Sequence, residues 1–361
     1  MNRFICRTKL LSGAGAVETL GNMEIRKLLL VTDPYFMKNG TASRIASLAK
    51  AQKTEIFSDV TPDPPVELVA AGTAQVKALE PDTIVALGGG SAMDCAKAMV
   101  YFSGIPVRFV AIPTTSGSGS EVTDFSILTH GGVKHPLVDE KLRPDVAILD
   151  GELLKKLPRK LIADTGFDLL SHALEAYVAT GAGAITDALA KDAFSAGLSF
   201  LEASFLGDLT VRTRLHQAAC MVGMAFSGAG LGVCHAMSHS LGGLFHISHG
   251  RLNAILMPAV VEANAVITGD KYADLARCAG LSGVSDTLAL RNLKNALIRL
   301  RRRLELPATL AEAGVDRGVL QQKKPELVAA VLADPCCETN PVPVTEGLVY
   351  RILREVQGFG E

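Results

Sequence analysis

Up to about residue 157 the chain alternates short apolar runs, rich in β-branched residues, with segments of helical periodicity. The runs are RKLLLVTD (26–33), TEIFSDV (54–60), DTIVALGGG (82–90), VRFVAIPTT (107–115) and DVAILD (145–150). Strands alternating with helices predict a largely parallel sheet covered on both faces. From about Pro158 the texture turns to Ala/Leu-rich helix, as in TDALAKDAFSAGLSFLEA and ADLARCAGL, with Gly and Pro as punctuation. At 361 residues the chain exceeds the roughly 250–300 at which one core stops growing. The pattern therefore predicts an α/β domain over 1–157 and an all-α domain over 158–361.

Composition narrows the function. Hydrophobic residues make up 48%, ample for an aliphatic core, and Lys+Arg 36 against Asp+Glu 37 leaves a net charge of -1. With no basic stripe or aromatic-interleaved patch, nucleic acid is not an expected partner. The start, MNRFICRTKLLSGAGAV, has no apolar core leading to a cleavage site, and no uninterrupted run of 18 uncharged apolar residues follows. A cytoplasmic protein with no membrane span is expected. Seven cysteines without a CxxC pair fit reduced thiols, with Cys336 and Cys337 expected to act as buried small hydrophobes rather than redox partners.

In an open parallel sheet, ligands bind beyond the carboxyl ends of the strands. After DTIVAL comes GGGSAMD, where Gly88, Gly89 and Gly90 let a ligand approach the backbone and a helix starting near Ser91 offers free N–H groups to a pyrophosphate. The third glycine of G-x-G-x-x-G is replaced by Met93, so a tight structural turn is the rival reading. The hydroxyl-rich loop TTSGSGSEVTD (114–124) follows another strand, and Asp33 follows a third. Asp33 is either a carboxylate for the adenosine ribose or a helix N-cap. Together the three strand ends point to a dinucleotide site.

The second domain holds CHAMSHSLGGLFHISHG (234–250), with four of the eight histidines. His235 and His239 are four apart, as are Asp168 and His172 in TGFDLLSHALEAY, so each pair shares one helix face. His249 lies fourteen residues past His235, about 21 Å along a continuous helix, too far to share a metal. The chain must turn between them, and Gly242-Gly243 offers the place. With that turn Asp168, His172, His235 and His249 suit Fe(II) or Zn(II), and His246 reads as a bystander.

GGGSAMD, IPTTSGSGSEVT, TGFDLLSHALEAY, CHAMSHSLGG and HGRLNAILMP, in this order and with ADPCCETNP near the end, resemble the iron-containing (group III) alcohol dehydrogenase family. The resemblance spans nearly the whole chain. It implies a dinucleotide-binding N-terminal domain, a helical metal domain and a cleft between them where alcohol and aldehyde interconvert. Carried over by motif position, Asp168, His172, His235 and His249 are the metal ligands. His239 matches a histidine that assists proton movement, and Lys134 in GVKHPL a lysine near the nicotinamide ribose. Gly88, Gly89, Gly90, Ser91 and Asp94 match the pyrophosphate turn, and Thr114, Thr115 and Ser118 the second nucleotide loop. Asp33 matches the acidic residue that favours NAD over NADP. Two positions depart from the pattern: many members read Pro-Asn-Pro where this chain has Asp63 in TPDPP, and the frequent Asn-Pro-Arg becomes Asn340-Pro341-Val342.

The short start and overall brevity are most similar to the 1-propanol dehydrogenase branch linked to bacterial microcompartments. The expected enzyme reduces a short aldehyde with NAD(H) and a divalent metal, Fe(II) ahead of Zn(II). It would work as a homo-oligomer in the cytoplasm or inside a microcompartment, beside the shell or an aldehyde dehydrogenase. A related polyol dehydrogenase, such as lactaldehyde reductase or glycerol dehydrogenase, and a non-catalytic metal-binding or shell-associated protein are the alternatives.

Overall fold

Neighbouring residues of the apolar runs bury on opposite sides of one sheet, which is why those runs lack a polar face. Leu28 and Leu30 join Val85, Leu87, Val110 and Ile112 in one core, and Leu29 and Val31 join Ile84, Ala86 and Ala111 in the other. Burying each such side chain fully contributes about 1.5–3 kcal/mol. The computed structural model describes residues 4–131 and 133–359. The chain divides into two units, Ile5–Leu157 and a second made of Phe4 and the residues from Pro158 onward.

Among the described residues, the first unit has strands β1 (Lys9–Ser12), β2 (Lys27–Thr32), β3 (Lys53–Phe57), β4 (Thr83–Gly88), β5 (Arg108–Pro113), β6 (Phe125–His130), β7 (Val133–Val138) and β8 (Val146–Leu149). Its helices are α1 (Pro34–Lys38), α2 (Thr41–Leu48), α3 (Val66–Leu79) and α4 (Gly90–Ser103). Six strands form a parallel sheet in the order β1-β8-β5-β4-β2-β3. Helices α3 and α4 line one core, and α2 with the turn at 16–22 lines the other.

Two features exceed the sequence reading. β1 is a four-residue edge strand, mostly exposed, so it carries no apolar run. β6 and β7 form a separate antiparallel hairpin in which only alternate residues of β6, Ser126 and Leu128, are buried.

The second unit is helical: α5 (Arg159–Val178), α6 (Ala184–Phe205), α7 (Arg212–Ala229), α8 (Val233–Phe245), α9 (His249–Cys278), α10 (Asp286–Arg303), α11 (Arg317–Ala333) and α12 (Glu346–Val356). Helix α5 is buried along nearly its whole length because α6, α7 and α9 pack around it. Although Arg251, Glu262, Asp270 and Lys271 interrupt its apolar run, the 30-residue α9, bent at Thr268, is long and apolar enough to cross a membrane, which corrects the expectation of no such segment. Its apolar window is 67% buried inside this unit, as befits a core helix.

The turn after His235 does not fall at Gly242-Gly243. Helix α8 runs on to Phe245, and the chain reverses at His246, which is left-handed (φ 53) and donates its N–H to the Gly242 carbonyl at 2.9 Å. His246 thus terminates the helix, a role its backbone performs. Cys336 and Cys337 are half-buried rather than buried, and every cysteine is a free thiol.

Candidate functional site

In the α/β unit the winding reverses between β2 and β4, because β3 lies on one side of β2 and β4 on the other. Such a switch point is where a doubly wound sheet binds its ligand. Asp33 follows β2, and its Oδ1 accepts the amides of Tyr35 (2.9 Å) and Phe36 (3.2 Å), capping α1. Its Oδ2 faces the glycine turn: a β-carbon on Gly88 would lie 3.8 Å from it. The N-cap and ribose readings are compatible, because each uses a different oxygen.

Gly88 has φ 155, and a β-carbon there would fall 2.5 Å from that of Ala92, so only glycine lets α4 start this close to the strand. No side chain caps α4 at Gly89, which leaves its first amides available to an anion. The loop after β5 lies against this turn. A β-carbon on Gly89 would be 3.2 Å from Thr115 Oγ1, and one on Gly90 would be 3.6 Å from Ser118 Oγ. The Thr114 amide donates to the Gly88 carbonyl (2.9 Å), tying the two turns together. The side chain of Thr114 is buried.

Asp94 looks inward to the same loop, accepting from Ser120 Oγ at 3.3 Å. Burial raises its carboxyl, and the neighbouring Lys97 ammonium offsets part of that rise. Lys97, which the sequence reading passed over, is wholly buried and donates to Ser120 Oγ (3.1 Å), Thr123 Oγ1 (2.9 Å) and the Phe125 carbonyl (2.8 Å). It pins the loop to α4. Lys134 on β7 pairs with Asp63 Oδ1 at 2.7 Å, and Asp63 is left-handed (φ 51), a conformation Asp tolerates better than most residues. The departure from the expected asparagine therefore gives Lys134 a counter-ion.

In the helical unit, α5 contributes Asp168 and His172, α8 contributes His235 and His239, and α9 contributes His249. Three imidazole nitrogens converge on Asp168 Oδ1: His249 Nε2 at 3.5 Å, His172 Nδ1 at 3.6 Å and His235 Nε2 at 4.0 Å. Tetrahedral ligands at metal bonds of ~2.0–2.2 Å lie about 3.3–3.6 Å apart, close to the distances of His249 and His172 from Asp168 Oδ1. The donor atoms of Asp168, His172 and His235 all lie within 4.8 Å of one another, a group that does not include His249, which is placed by its approach to Asp168. Gly250 makes the approach of α9 possible, since a β-carbon there would come within 1.9 Å of the Asp164 carbonyl oxygen and 3.3 Å of the Asp168 β-carbon. The bidentate pair of Arg251 with Asp164 (2.9 and 3.2 Å) holds the same contact.

The electrostatics of these groups call for a cation. Burial pushes the Asp168 carboxyl up to about 7, against the opposing pull of His239 and the Asn253 amide, and burial pushes His235 well below its ordinary value, with His172 and His239 adding to the shift. His235 Nε2 is buried with no hydrogen-bond partner. A neutral imidazole with a buried, unused lone pair beside a carboxylate fits Fe(II) or Zn(II).

The supporting residues lay outside the sequence reading. Glu175 accepts His235 Nδ1–H at 2.6 Å, which leaves Nε2 as the lone-pair nitrogen, and also takes the amides of Gly232 (3.0 Å), Cys234 (2.7 Å) and His235 (3.3 Å) at the start of α8. Burial raises Glu175 to about 7 and these amides pull it the other way. Its signal was available: seven residues after Asp168, it shares the face of His172. Asn253 donates to Asp168 Oδ1 (3.1 Å), and Asn340 accepts the Val233 amide (3.1 Å), so the asparagine of Asn340-Pro341-Val342 caps α8.

His239 stands beside the cluster, its ring 5.1 Å from that of His249 and 6.2 Å from that of His235. Its Nδ1 bonds Asp334 Oδ2 at 2.8 Å. Burial alone would raise Asp334, but His239 and the Cys336 amide hold it below the usual carboxylate range.

A family model for iron-containing alcohol dehydrogenases matches residues 7–151, and the model for the C-terminal part of that family matches residues 162–357. This chain belongs to the iron-containing alcohol dehydrogenase family. It is 38% identical to 1-propanol dehydrogenase PduQ of Salmonella typhimurium over 99% of this chain and 100% of that one. It is 37% identical to the NADPH-dependent butanol dehydrogenase of Clostridium saccharobutylicum over 98% of this chain and 97% of that one. The crystal structure of an iron-containing alcohol dehydrogenase from Thermococcus thioreducens superposes with a TM-score of 0.92 at 30% identity, covering 99% of this chain and 100% of that one. The chain is thus an oxidoreductase, an iron-type alcohol dehydrogenase.

Proposed function

We propose that this dehydrogenase interconverts a short-chain aldehyde, propionaldehyde or acetaldehyde, and its primary alcohol, with NAD(H) and a divalent metal, Fe(II) ahead of Zn(II). The observation that carries the reading is the convergence of three imidazoles on Asp168 around the buried lone pair of His235. An ion held by Asp168, His172, His235 and His249 would act as a Lewis acid toward the oxygen on which negative charge grows. The nicotinamide would supply or accept the hydride.

The remaining roles belong to the chain. Glu175 keeps the proton on His235 Nδ1 and so keeps Nε2 a donor to the ion. Asp334 holds His239 Nδ1, leaving Nε2 to pass a proton to or from the alcohol oxygen, directly or through water. The α4 amides at Gly90 and Ser91 receive the pyrophosphate, and Thr115 and Ser118 flank it. Asp33 Oδ2 accepts from the adenosine ribose and repels a 2′-phosphate, which favours NAD(H) although the butanol dehydrogenase relative is NADPH-dependent by name. Lys134, with Asp63 as counter-ion, would hold the nicotinamide ribose, as the family resemblance implies.

We also propose a homo-oligomer that regenerates NAD for an aldehyde dehydrogenase inside a cytoplasmic microcompartment, as the sequence resemblance to the 1-propanol dehydrogenase branch implies. The decisive assay is NADH oxidation with acetaldehyde, propionaldehyde, lactaldehyde and dihydroxyacetone after reconstitution with Fe(II) or Zn(II). Propionaldehyde or acetaldehyde should give the highest kcat/KM. Preference for lactaldehyde or dihydroxyacetone would place the enzyme among the polyol dehydrogenases instead.

A further inference from the structure

A second set of metal-ligating atoms lies beside the first and shares none of its four ligands. His239, Asp334 and Cys336 each present a donor atom, and all three atoms lie within 4.8 Å of one another. The Asp334 carboxylate begins the short helical turn Pro335–Thr339, and its Oδ1 accepts the Cys336 amide at 2.8 Å. That turn sets the thiol and carboxylate on one side, with His239 Nδ1 already 2.8 Å from Oδ2. The group is reachable: the side chain of His239 is 25% exposed and that of Asp334 is 14% exposed. Cys337 points elsewhere, its Sγ donating to the Val331 carbonyl at 3.1 Å.

The two sets differ in chemistry. Asp168, His172, His235 and His249 offer only nitrogen and oxygen, whereas the second set adds a thiolate and leaves a fourth position open. Thiolate and imidazole together select soft or borderline divalent ions.

We propose that His239 Nδ1, Asp334 Oδ2 and Cys336 Sγ form an inhibitory site for a soft divalent cation, Zn²⁺ or Cd²⁺. Binding makes a metal–sulfur and a metal–Nδ1 bond, sends the Cys336 thiol proton to solvent, and moves the Nδ1 proton of His239 through solvent to Nε2, so that metal coordination replaces the His239–Asp334 hydrogen bond. His239 is then fixed on the cation and cannot relay a proton. The inhibitory part rests on the proposed proton-transfer role of His239, whereas the binding part does not.

The test is a Cd²⁺ titration of the enzyme already loaded with its activating metal, following thiolate-to-cadmium charge-transfer absorption and turnover together. The first ligand set has no sulfur, so the band reports a thiolate outside it, and loss of the band on replacing Cys336 separates the second site from the exposed thiols of Cys6 and Cys278. One equivalent of band per chain is expected, lost in Cys336→Ser and in Cys336→Ala and kept in Cys337→Ser. Turnover, measured against each variant's own cadmium-free rate, should fall about tenfold or more in the wild type and stay level in Cys336→Ser. No band, or a band that survives in both Cys336 variants, overturns the site and leaves the role of His239 standing. Equal inhibition in wild type and Cys336→Ser means displacement of the activating metal and overturns the inhibitory assignment. A Cys336-dependent band with full turnover overturns both the inhibition and the proton relay.

Discussion

At the switch point of the sheet the groups offered to a ligand are main-chain amides uncovered at Gly88–Gly90, whereas the helical unit offers side chains from three helices, Asp168, His172, His235 and His249. The first site depends on atoms being absent, and the second on atoms being present. A main-chain cradle tolerates changes in neighbouring side chains but not an added β-carbon. A side-chain cage is destroyed by one truncation, because each ligand supplies a separate bond and the carboxylate and imidazoles around the gap stay buried.

The largest effect should come from His249→Ala, which removes a proposed ligand whose helix approaches Asp168 through the close contact at Gly250. Bound metal, read by elemental analysis after dialysis, should fall more than about 100-fold in affinity, beyond the 10–100-fold typical of supporting residues, and turnover should vanish. Full activity in metal-free protein would remove the cage from the mechanism.

Next in size, His239→Ala should lower kcat by about 10²–10⁴ while metal content stays near normal. Asp334→Asn should act through the same histidine, so the double variant should be little worse than His239→Ala alone. Metal lost in step with activity would move His239 into the cage.

Gly88→Ala tests the other material. The new β-carbon meets Ala92 at 2.5 Å, and relieving that overlap should cost about 1–3 kcal/mol of stability and shift the start of α4. NADH affinity, measured by fluorescence quenching, should weaken about tenfold at unchanged metal content. Unchanged NADH binding would leave the glycines as a tight turn only.

The smallest effect is expected for Asp33→Gly. The cap of the five-residue α1 costs only a few tenths of a kcal/mol when glycine replaces it, so the change should appear chiefly in cofactor choice. The ratio of kcat/KM for NAD over NADP should narrow about tenfold. Equal wild-type efficiency with both cofactors would detach Asp33 from the ribose.

Four of the strands with apolar runs, β2, β4, β5 and β8, were legible because burial on both faces needs an uninterrupted run, as at Ile84–Leu87, and the edge strand β3, fully buried only at Phe57, was legible from its β-branched and aromatic residues. The edge strand at Lys9–Ser12 was not, since one open side removes that requirement. Among site residues, the pairs Asp168/His172 and His235/His239 could be read from the helical period alone. Glu175 continued the same period and was overlooked. Lys97, Asn253 and Asp334 had no such signal, because their partners lie on other elements: Lys97 bonds the loop past Ser118, Asn253 bonds Asp168, and Asp334 bonds His239 95 residues away.

The sequence alone determined which residues share a helix face, where the texture changes from strand-rich to helical, and which loops carry the glycines, all consequences of short-range backbone geometry. Tertiary structure decided where the chain reverses after α8. Glycine pairs permit a turn, but α8 runs on through Gly242-Gly243 to Phe245 and closes only at the left-handed His246, whose amide bonds the Gly242 carbonyl. It also decided which nitrogen of His235 and of His239 faces a carboxylate, because the carboxylates come from distant elements: Glu175 onto His235 and Asp334 onto His239. A helical period places a side chain on a face, but its hydrogen-bond partners are chosen only when the faces meet.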